Sequence, residues 1–330
     1  MVLFVDRAAV LGAGVMGARI AEVLALNNVN VLLRDVDEAA LQRGLATIEK
    51  DLDELVAFQS GKAPKAIADF ESRTGVELTA EQKAKAQTTL KPTFDAERKK
   101  RLLAKITTTT SFDGFDKVDL VIEAAPENPS LKKKIFQELV TKVPDSCVLA
   151  TNTSTLSVTD LASALPPNRR GRFLGVHFFN PPTTLPLIEL IPGLETRADI
   201  LEDVVNFLAP MRNQRYPLLP VAVKECPGFL VNRILAPMLA EAFACYEEGI
   251  AKPKDIDLAM QAGAGMPMGP LALADLIGLD VVLHAGRSIR EQQGGIVPQR
   301  PVQVIQQLVA AGRLGQKSGR GFYDYSNKPE

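Results

Sequence analysis

Short apolar runs alternate with segments whose apolar residues recur at helical spacing over the first two thirds of the chain. Ala8-Ala9-Val10-Leu11 is stopped by glycines, and a helical stripe follows over 15–26. A second run rich in branched residues, 29–33, ends at Asp35. Strand, tight turn, helix and strand in that order predict a βαβ unit. Further apolar runs at 118–124, 147–150, 173–178, 187–191 and 221–223 predict strands, with helical patterns such as 130–143 and 158–165 between them. Such alternation implies an α/β domain, its mostly parallel sheet covered by helices on both faces.

Two regions break the rhythm. Residues 36–105 are long, charged and poor in branched residues, with Glu81, Lys83 and Lys85 at helical spacing and a basic run Arg98-Lys99-Lys100-Arg101. They read as a helical excursion inserted into the α/β domain. The basic run fits a solvated helix face, or a site for the phosphates of a large ligand. After Val223, Pro227-Gly228 interrupts the chain, and positions 230, 234, 235, 238, 239, 242 and 246 form an apolar stripe. Segments 255–262, 271–276 and 302–308 continue in helical texture with no strand pattern. The expected organisation is an α/β domain over 1–224 and an all-helical domain over 225–330.

Composition narrows the function. The 330 residues carry 38 basic and 39 acidic side chains, which argues against a nucleic-acid binder held by a basic face. No apolar run approaches the ~20 residues of a membrane span. Cys147, Cys226 and Cys245 cannot build a disulfide framework, and each reads as a buried thiol. A glycine loop at Gly12 leaves no room for a signal peptide before it, so the expectation is a soluble, cytoplasmic chain. No Cys/His spacing suggests a metal site. Chemistry that needs an imidazole must use His177 or His284.

Gly12-Ala13-Gly14-Val15-Met16-Gly17 is a G-x-G-x-x-G placed between a predicted strand and a predicted helix. In that setting the glycines serve the turn, close approach to a pyrophosphate, and helix–strand contact. The helix N-terminus adds N–H groups and positive dipole. Asp35 lies 18 residues past Gly17, where a carboxylate accepts from ribose hydroxyls and repels a 2′-phosphate. The cofactor implied is NAD. Arg34 is a contrary sign, since it could reach such a phosphate.

His177 ends an apolar strand, and ligands of open α/β folds bind outside strand carboxyl ends. Glu189 ends the next predicted strand, so neighbouring strand ends could set its carboxylate against the ring, fixing the tautomer and stabilising an imidazolium. Ser154 follows a third strand end and could bind a reacting oxygen. Ser-His-Glu hydrolysis would use the same side chains, but no G-x-S-x-G surrounds Ser154. His284 lies in a helical pattern and reads as structural.

The segments 11–17, Val121-Ile122-Glu123-Ala124-Ala125-Pro126-Glu127-Asn128, Asn152-Thr153-Ser154-Thr155, His177-Phe178-Phe179-Asn180-Pro181, 227–233, Met268-Gly269-Pro270 and 315–323 together resemble the L-3-hydroxyacyl-CoA dehydrogenases, in family order and over nearly the whole chain. The resemblance implies a Rossmann-type domain and a helical domain, usually a homodimer joined through the latter. It implies reversible, NAD-dependent oxidation of an (S)-3-hydroxyacyl-CoA, as in fatty-acid β-oxidation or butyrate-type metabolism. His177 would be the general base and Glu189 its orienting partner, with Ser154 and Asn232 at the substrate oxygen. Glu123, Asn128 and Asn180 would line the nicotinamide end, with Lys317 closing over it. A related gulonate-type sugar-acid dehydrogenase, or a crystallin-like protein without chemistry, would share the fold. Family members often grip coenzyme A with a Ser and a Lys in the helix after the ribose acid. Here that stretch reads Glu49-Lys50-Asp51-Leu52-Asp53-Glu54, so Lys62, Lys65 or the 98–101 run would have to supply the charge.

Overall fold

A strand buried on both faces needs apolar residues at every position, and β1 (Arg7–Leu11) is built that way, with Ala8, Ala9, Val10 and Leu11 all buried. The computed structural model describes residues 5–292 and 303–326. It divides into two compact units, residues 1–153 with 158–223, and residues 154–157 with 224–330.

In the first unit β1 is followed by α1 (Val15–Leu26), β2 (Asn30–Arg34), α2 (Glu38–Thr74), α3 (Ala80–Thr89), α4 (Ala96–Leu103), β3 (Ile106–Thr109), β4 (Leu120–Glu123) and α5 (Pro129–Leu139). Then come β5 (Val148–Thr151), α6 (Val158–Ala162), α7 (Pro167–Arg170), β6 (Phe173–Phe178), β7 (Leu187–Pro192), α8 (Ala198–Leu208) and β8 (Leu219–Ala222). The eight strands form one sheet in the order β3-β2-β1-β4-β5-β6-β7-β8. The first six are parallel in the Rossmann order, and the chain reverses direction across the sheet between β1 and β4, where ligands bind in such folds. β7 runs antiparallel to β6, and β8 parallel to β7.

Three elements were not among those predicted from the sequence, one of them the single-turn α7. β3 carries Ile-Thr-Thr-Thr, with no apolar run to mark it. α8 is a short amphipathic helix whose Ile200, Val204 and Leu208 pack inward. The excursion is α2 to α4. Asp37 caps α2 by accepting the Ala39 N–H, and Gly75 ends it in the left-handed region. Leu41, Gly44, Ile48, Leu52 and Leu55 form its buried stripe. Gly44 is required by closeness: a Cβ there would fall 2.7 Å from the Ala13 carbonyl oxygen. α3 buries no residue and is held by a Thr79/Gln82 capping box and a Lys83–Glu71 ion pair.

The second unit packs α9 (Val231–Glu247), α10 (Pro253–Ala264), α11 (Pro270–Ile277), α12 (Leu279–Gln292) and α13 (Val304–Ala310) around Leu239, Phe243, Leu271, Ala274 and Leu279. Of the predicted segment 302–308, Val302 lies outside the described residues. Asp257 accepts the Leu271 and Ala272 N–H groups that start α11. Buried Asp275 accepts the N–H groups of Phe322 and Tyr323, docking the C-terminal segment. Cys147 is buried, and burial pushes its thiol up to about 12. Cys226 and Cys245 are only partly buried, contrary to expectation: Cys245 packs against the helical core without entering it, and Cys226 Sγ reaches the Phe229 carbonyl oxygen at 3.2 Å. No helix among the described residues is long and apolar enough to cross a membrane, and no cluster of three or more His, Cys, Asp or Glu there could hold a metal.

Candidate active site

The glycine loop joins β1 to α1 at the point where the sheet order reverses. Gly12 has φ +98°, and a Cβ there would meet the Ala124 carbonyl oxygen at 2.7 Å. At Gly17 the clash would be 1.8 Å, against the Gly12 carbonyl oxygen. At Gly14 a Cβ would meet nothing within 4 Å, because that backbone faces open cleft. Gly14 caps α1 without a side chain, so the first-turn N–H groups of Val15, Met16 and Gly17 have no partner within the helix. Asp35 accepts from the Ala13 N–H and the Val36 N–H, each at 2.7 Å, so the acid is fixed to the loop it serves. A cleft of about 950 Å³ runs over Gly12, Gly14, Asp35, Phe112, Ala125 and Pro126. The Arg34 guanidinium lies over the Phe112 ring at 3.9 Å and its Nε donates to the Ser111 carbonyl. These residues fit a dinucleotide: backbone donors for a pyrophosphate, an acid for a ribose and a flat wall beside it.

His177 is the fifth residue of β6, and it pairs across the ladder with Glu189, the third residue of β7. The sequence reading had Glu189 closing a strand that ends beside β6. Because β7 is antiparallel, Glu189 instead lies within it, opposite the imidazole. His177 Nδ1 and Glu189 Oε2 are 2.8 Å apart, with the histidine 4% and the glutamate 1% exposed. A carboxylate there fixes the proton on Nδ1 and leaves Nε2 as the basic nitrogen. The Phe179 ring packs against the imidazole at 4.5 Å. Asn152, unpredicted, reaches from the end of β5 to accept the Phe178 N–H at 2.9 Å.

Seven further predicted positions are placed as follows. Glu123 is not on the cleft surface. Its carboxylate is fully buried and accepts from Ala125 N–H (2.6 Å), Thr151 Oγ1 (2.7 Å) and Lys132 Nζ (2.7 Å). It holds the turn after β4 from beneath, while Ala124, Ala125 and Pro126 form the cleft wall. Lys132, also buried, donates to the Ala125 carbonyl and lies 3.4 Å from Glu127. Asn128 is exposed and caps α5 through the Leu131 N–H. Asn180 is exposed and precedes a cis bond to Pro181. His284 is solvent-exposed on α12 rather than a packed histidine. Ser154 is grouped with the second unit, as are Asn232 near the start of α9 and Lys317, which pairs with Asp280 at 2.6 Å.

The family model for 3-hydroxyacyl-CoA dehydrogenase, NAD binding domain, matches residues 7–226, and that for its C-terminal domain matches 228–325. The chain belongs to the 3-hydroxyacyl-CoA dehydrogenase family. It is 36% identical to a 3-hydroxybutyryl-CoA dehydrogenase of Clostridioides difficile, over 96% of this chain and 99% of that one. It is 34% identical to the mitochondrial hydroxyacyl-coenzyme A dehydrogenase of Sus scrofa, over 98% and 92%. The crystal structure of (S)-3-hydroxybutyryl-CoA dehydrogenase from Ralstonia eutropha superposes with a TM-score of 0.79 at 37% identity, covering 98% of this chain and all of that one.

This dehydrogenase is therefore an NAD-dependent oxidoreductase whose first domain is the NAD-binding one, and the cleft over the glycine loop is the candidate site for it. Three supports of that site carry no sequence signal of their own. Gly44, Phe112 and Lys132 act through neighbours 31, 78 and 9 residues away, at Ala13, Arg34 and Glu123. The candidate phosphate cations are partly committed: Lys99 pairs with Asp53 at 2.6 Å, Arg98 donates to the Thr93 carbonyl, and Lys62 lies over the Phe58 ring.

Proposed function

We propose that the dehydrogenase oxidises (S)-3-hydroxyacyl-CoA to 3-oxoacyl-CoA reversibly, with His177 as the general base. The observation that carries this is the buried His177–Glu189 pair at the end of β6 in a chain with both family domains. Bound NAD supplies the acceptor for the hydride leaving the carbinol carbon. His177 Nε2 takes the hydroxyl proton as the carbonyl forms, and Glu189 stabilises the imidazolium through Nδ1–H. The acid Asp35 holds the adenosine ribose and selects NAD, and Arg34, committed to Phe112 and Ser111, makes the adenine wall. By the family resemblance Ser154 and Asn232 hold the reacting oxygen, and Asn128, Asn180 and Lys317 serve the nicotinamide end. Either Lys62 and Lys65 or the exposed members of the 98–101 run supply charge for the coenzyme A phosphates.

The protein acts as a cytoplasmic homodimer associating through its helical domain. Ile234 on α9, Leu276 on α11 and Val281 on α12 are large apolar residues exposed on one chain, which supports association. The test follows NADH oxidation with acetoacetyl-CoA and longer 3-oxoacyl-CoAs, beside His177→Gln. Removing a general base lowers turnover ~10²–10⁴-fold. Undiminished activity in the variant would sink the mechanism, and charge reversal at all the named cations with unchanged KM would sink the phosphate assignment.

A further inference from the structure

The segment 181–184 continues directly from the His177 strand, and its backbone is held from one side. Thr183 and Pro182 offer carbonyls to the turn 212–214: the Gln214 N–H donates to Thr183 O at 3.0 Å, and buried Asn213 donates its Nδ2 to Pro182 O at 3.2 Å. That turn is in turn fastened to α1, the helix that opens with the glycine loop. Asn27 exchanges two hydrogen bonds with the Arg212 backbone, at 2.7 and 3.0 Å. Gln214 Nε2 donates to Glu22 Oε1 at 2.7 Å. Glu22 is 1% exposed, and its second oxygen has no hydrogen bond among the described residues.

We propose that Glu22 is a positioning residue for the active site: through Gln214 its buried carboxyl clasps the turn 212–214 against α1 and so holds the segment 181–184 behind His177. The proposal rests on reading the His177 strand end as the active site. Thr183, Thr184 and Gln214 also line a cavity of about 360 Å³, shared with Arg19, Asp51 and Pro181, so the clasp shapes one wall of it.

The clasp responds to pH. Burial is the main influence on Glu22 and pushes its carboxyl up to about 8, against the Gln214 hydrogen bond. The charged groups facing it are Arg19 on α1, which lowers it, and Asp51 on α2, which raises it. These two are paired at 2.6 Å, and the influence of Asp51 is the larger. Glu54 on α2 and Arg215 beside Gln214 line the same cavity. At neutral pH the group is protonated. Its ionised form would be a buried charge with one donor, so ionisation favours release of the turn.

The test is hydrogen–deuterium exchange of the full-length protein, read in peptides covering 178–186 and 210–217 and corrected for the intrinsic rate, with kcat/KM for acetoacetyl-CoA measured over the same pH range. In the wild type, opening rises by up to about tenfold per pH unit between about pH 6 and 8 and then levels, as linkage to one proton requires. kcat/KM falls over the same range. Glu22→Gln keeps the acceptor and removes the titration, so the exchange slope vanishes, and the fall in kcat/KM becomes shallower, keeping only the part that proton delivery by His177 gives. Gln214→Met lacks the donor and exposes both segments at neutral pH. An exchange profile unchanged in Glu22→Gln, or wild-type protection in Gln214→Met, overturns the clasp. Loss of the exchange slope with the kcat/KM slope intact makes Glu22 merely structural and also overturns the proposal. A wild type that shows the exchange slope but no turnover supports the clasp and counts against the active-site reading.

Discussion

Replacing Glu189 by Gln keeps the shape of the side chain opposite His177 and removes its charge. Both residues are almost fully buried and their polar atoms are 2.8 Å apart. Taking charge centres about 4 Å apart and an effective dielectric of about 20, the carboxylate stabilises an imidazolium by about 4 kcal/mol. The amide retains part of this as a hydrogen bond, worth about 1 kcal/mol. The remaining loss of about 3 kcal/mol predicts kcat lowered by roughly 10²-fold, since about 1.4 kcal/mol is tenfold. If the amide turns its NH₂ toward Nδ1, the ring proton moves to Nε2 and the loss grows toward ~10⁴-fold, as in other triads with the wrong tautomer. KM for NAD stays put, because the pair does not touch the glycine loop. The assay is steady-state NADH formation from (S)-3-hydroxybutyryl-CoA at saturating NAD, with circular dichroism to establish that the variant is folded. A folded Glu189→Gln enzyme with kcat within about threefold of wild type would refute the electrostatic argument.

Other outcomes follow from the same structure. Gly17→Ala forces a methyl to 1.8 Å from the Gly12 carbonyl oxygen, so α1 must shift; NAD titration should show binding lost, with Tm lowered. Asp35→Asn removes the repulsion of a 2′-phosphate, and kcat/KM with NADPH should rise relative to NADH; an unchanged ratio would dismiss Asp35 as the selector. Lys132→Met leaves Glu123 buried and unpaired, at a cost of about 3–5 kcal/mol, and adding Glu123→Gln should restore part of the lost Tm. Glu22 is raised from 4.5 to about 8, so its contribution is intact below the lower value and is lost between them. From this group alone stability falls by about 1.4 kcal/mol per pH unit in that window, and denaturant titrations of Glu22→Gln should lack that component.

Local pattern carried the elements whose environment is uniform. β1, β4, β5 and β6 are buried on both faces, so their residues read as unbroken apolar runs, and the glycine loop is bounded by punctuation any β-α turn needs. Strand direction is not local. A Pro-rich connection after Phe179 looks the same whether the next strand returns parallel or antiparallel, and so Glu189 was placed at a strand end. Glu123 shows a different limit. An acid at a strand terminus resembles a site residue until its partner is known, and Lys132 reaches it only because α5 folds back over the turn. Gly44 and Glu22 are mute for the same reason, since each meets its partner, at Ala13 and Gln214, across a long sequence interval.

Because His177 faces Glu189 through the β6–β7 ladder, the distance between base and carboxylate is set by strand alignment and not by a loop. Sliding β7 by one residue would bring Ile188 or Leu190 opposite the imidazole and turn Glu189 to the other face of the sheet. Both faces of the middle of β7 are buried, so the displaced acid would be a charge in apolar surroundings without its partner. The acid proposed to support proton transfer thus also proofreads the fold: a misaligned sheet is penalised by the same side chain that pairs with His177 in the aligned one.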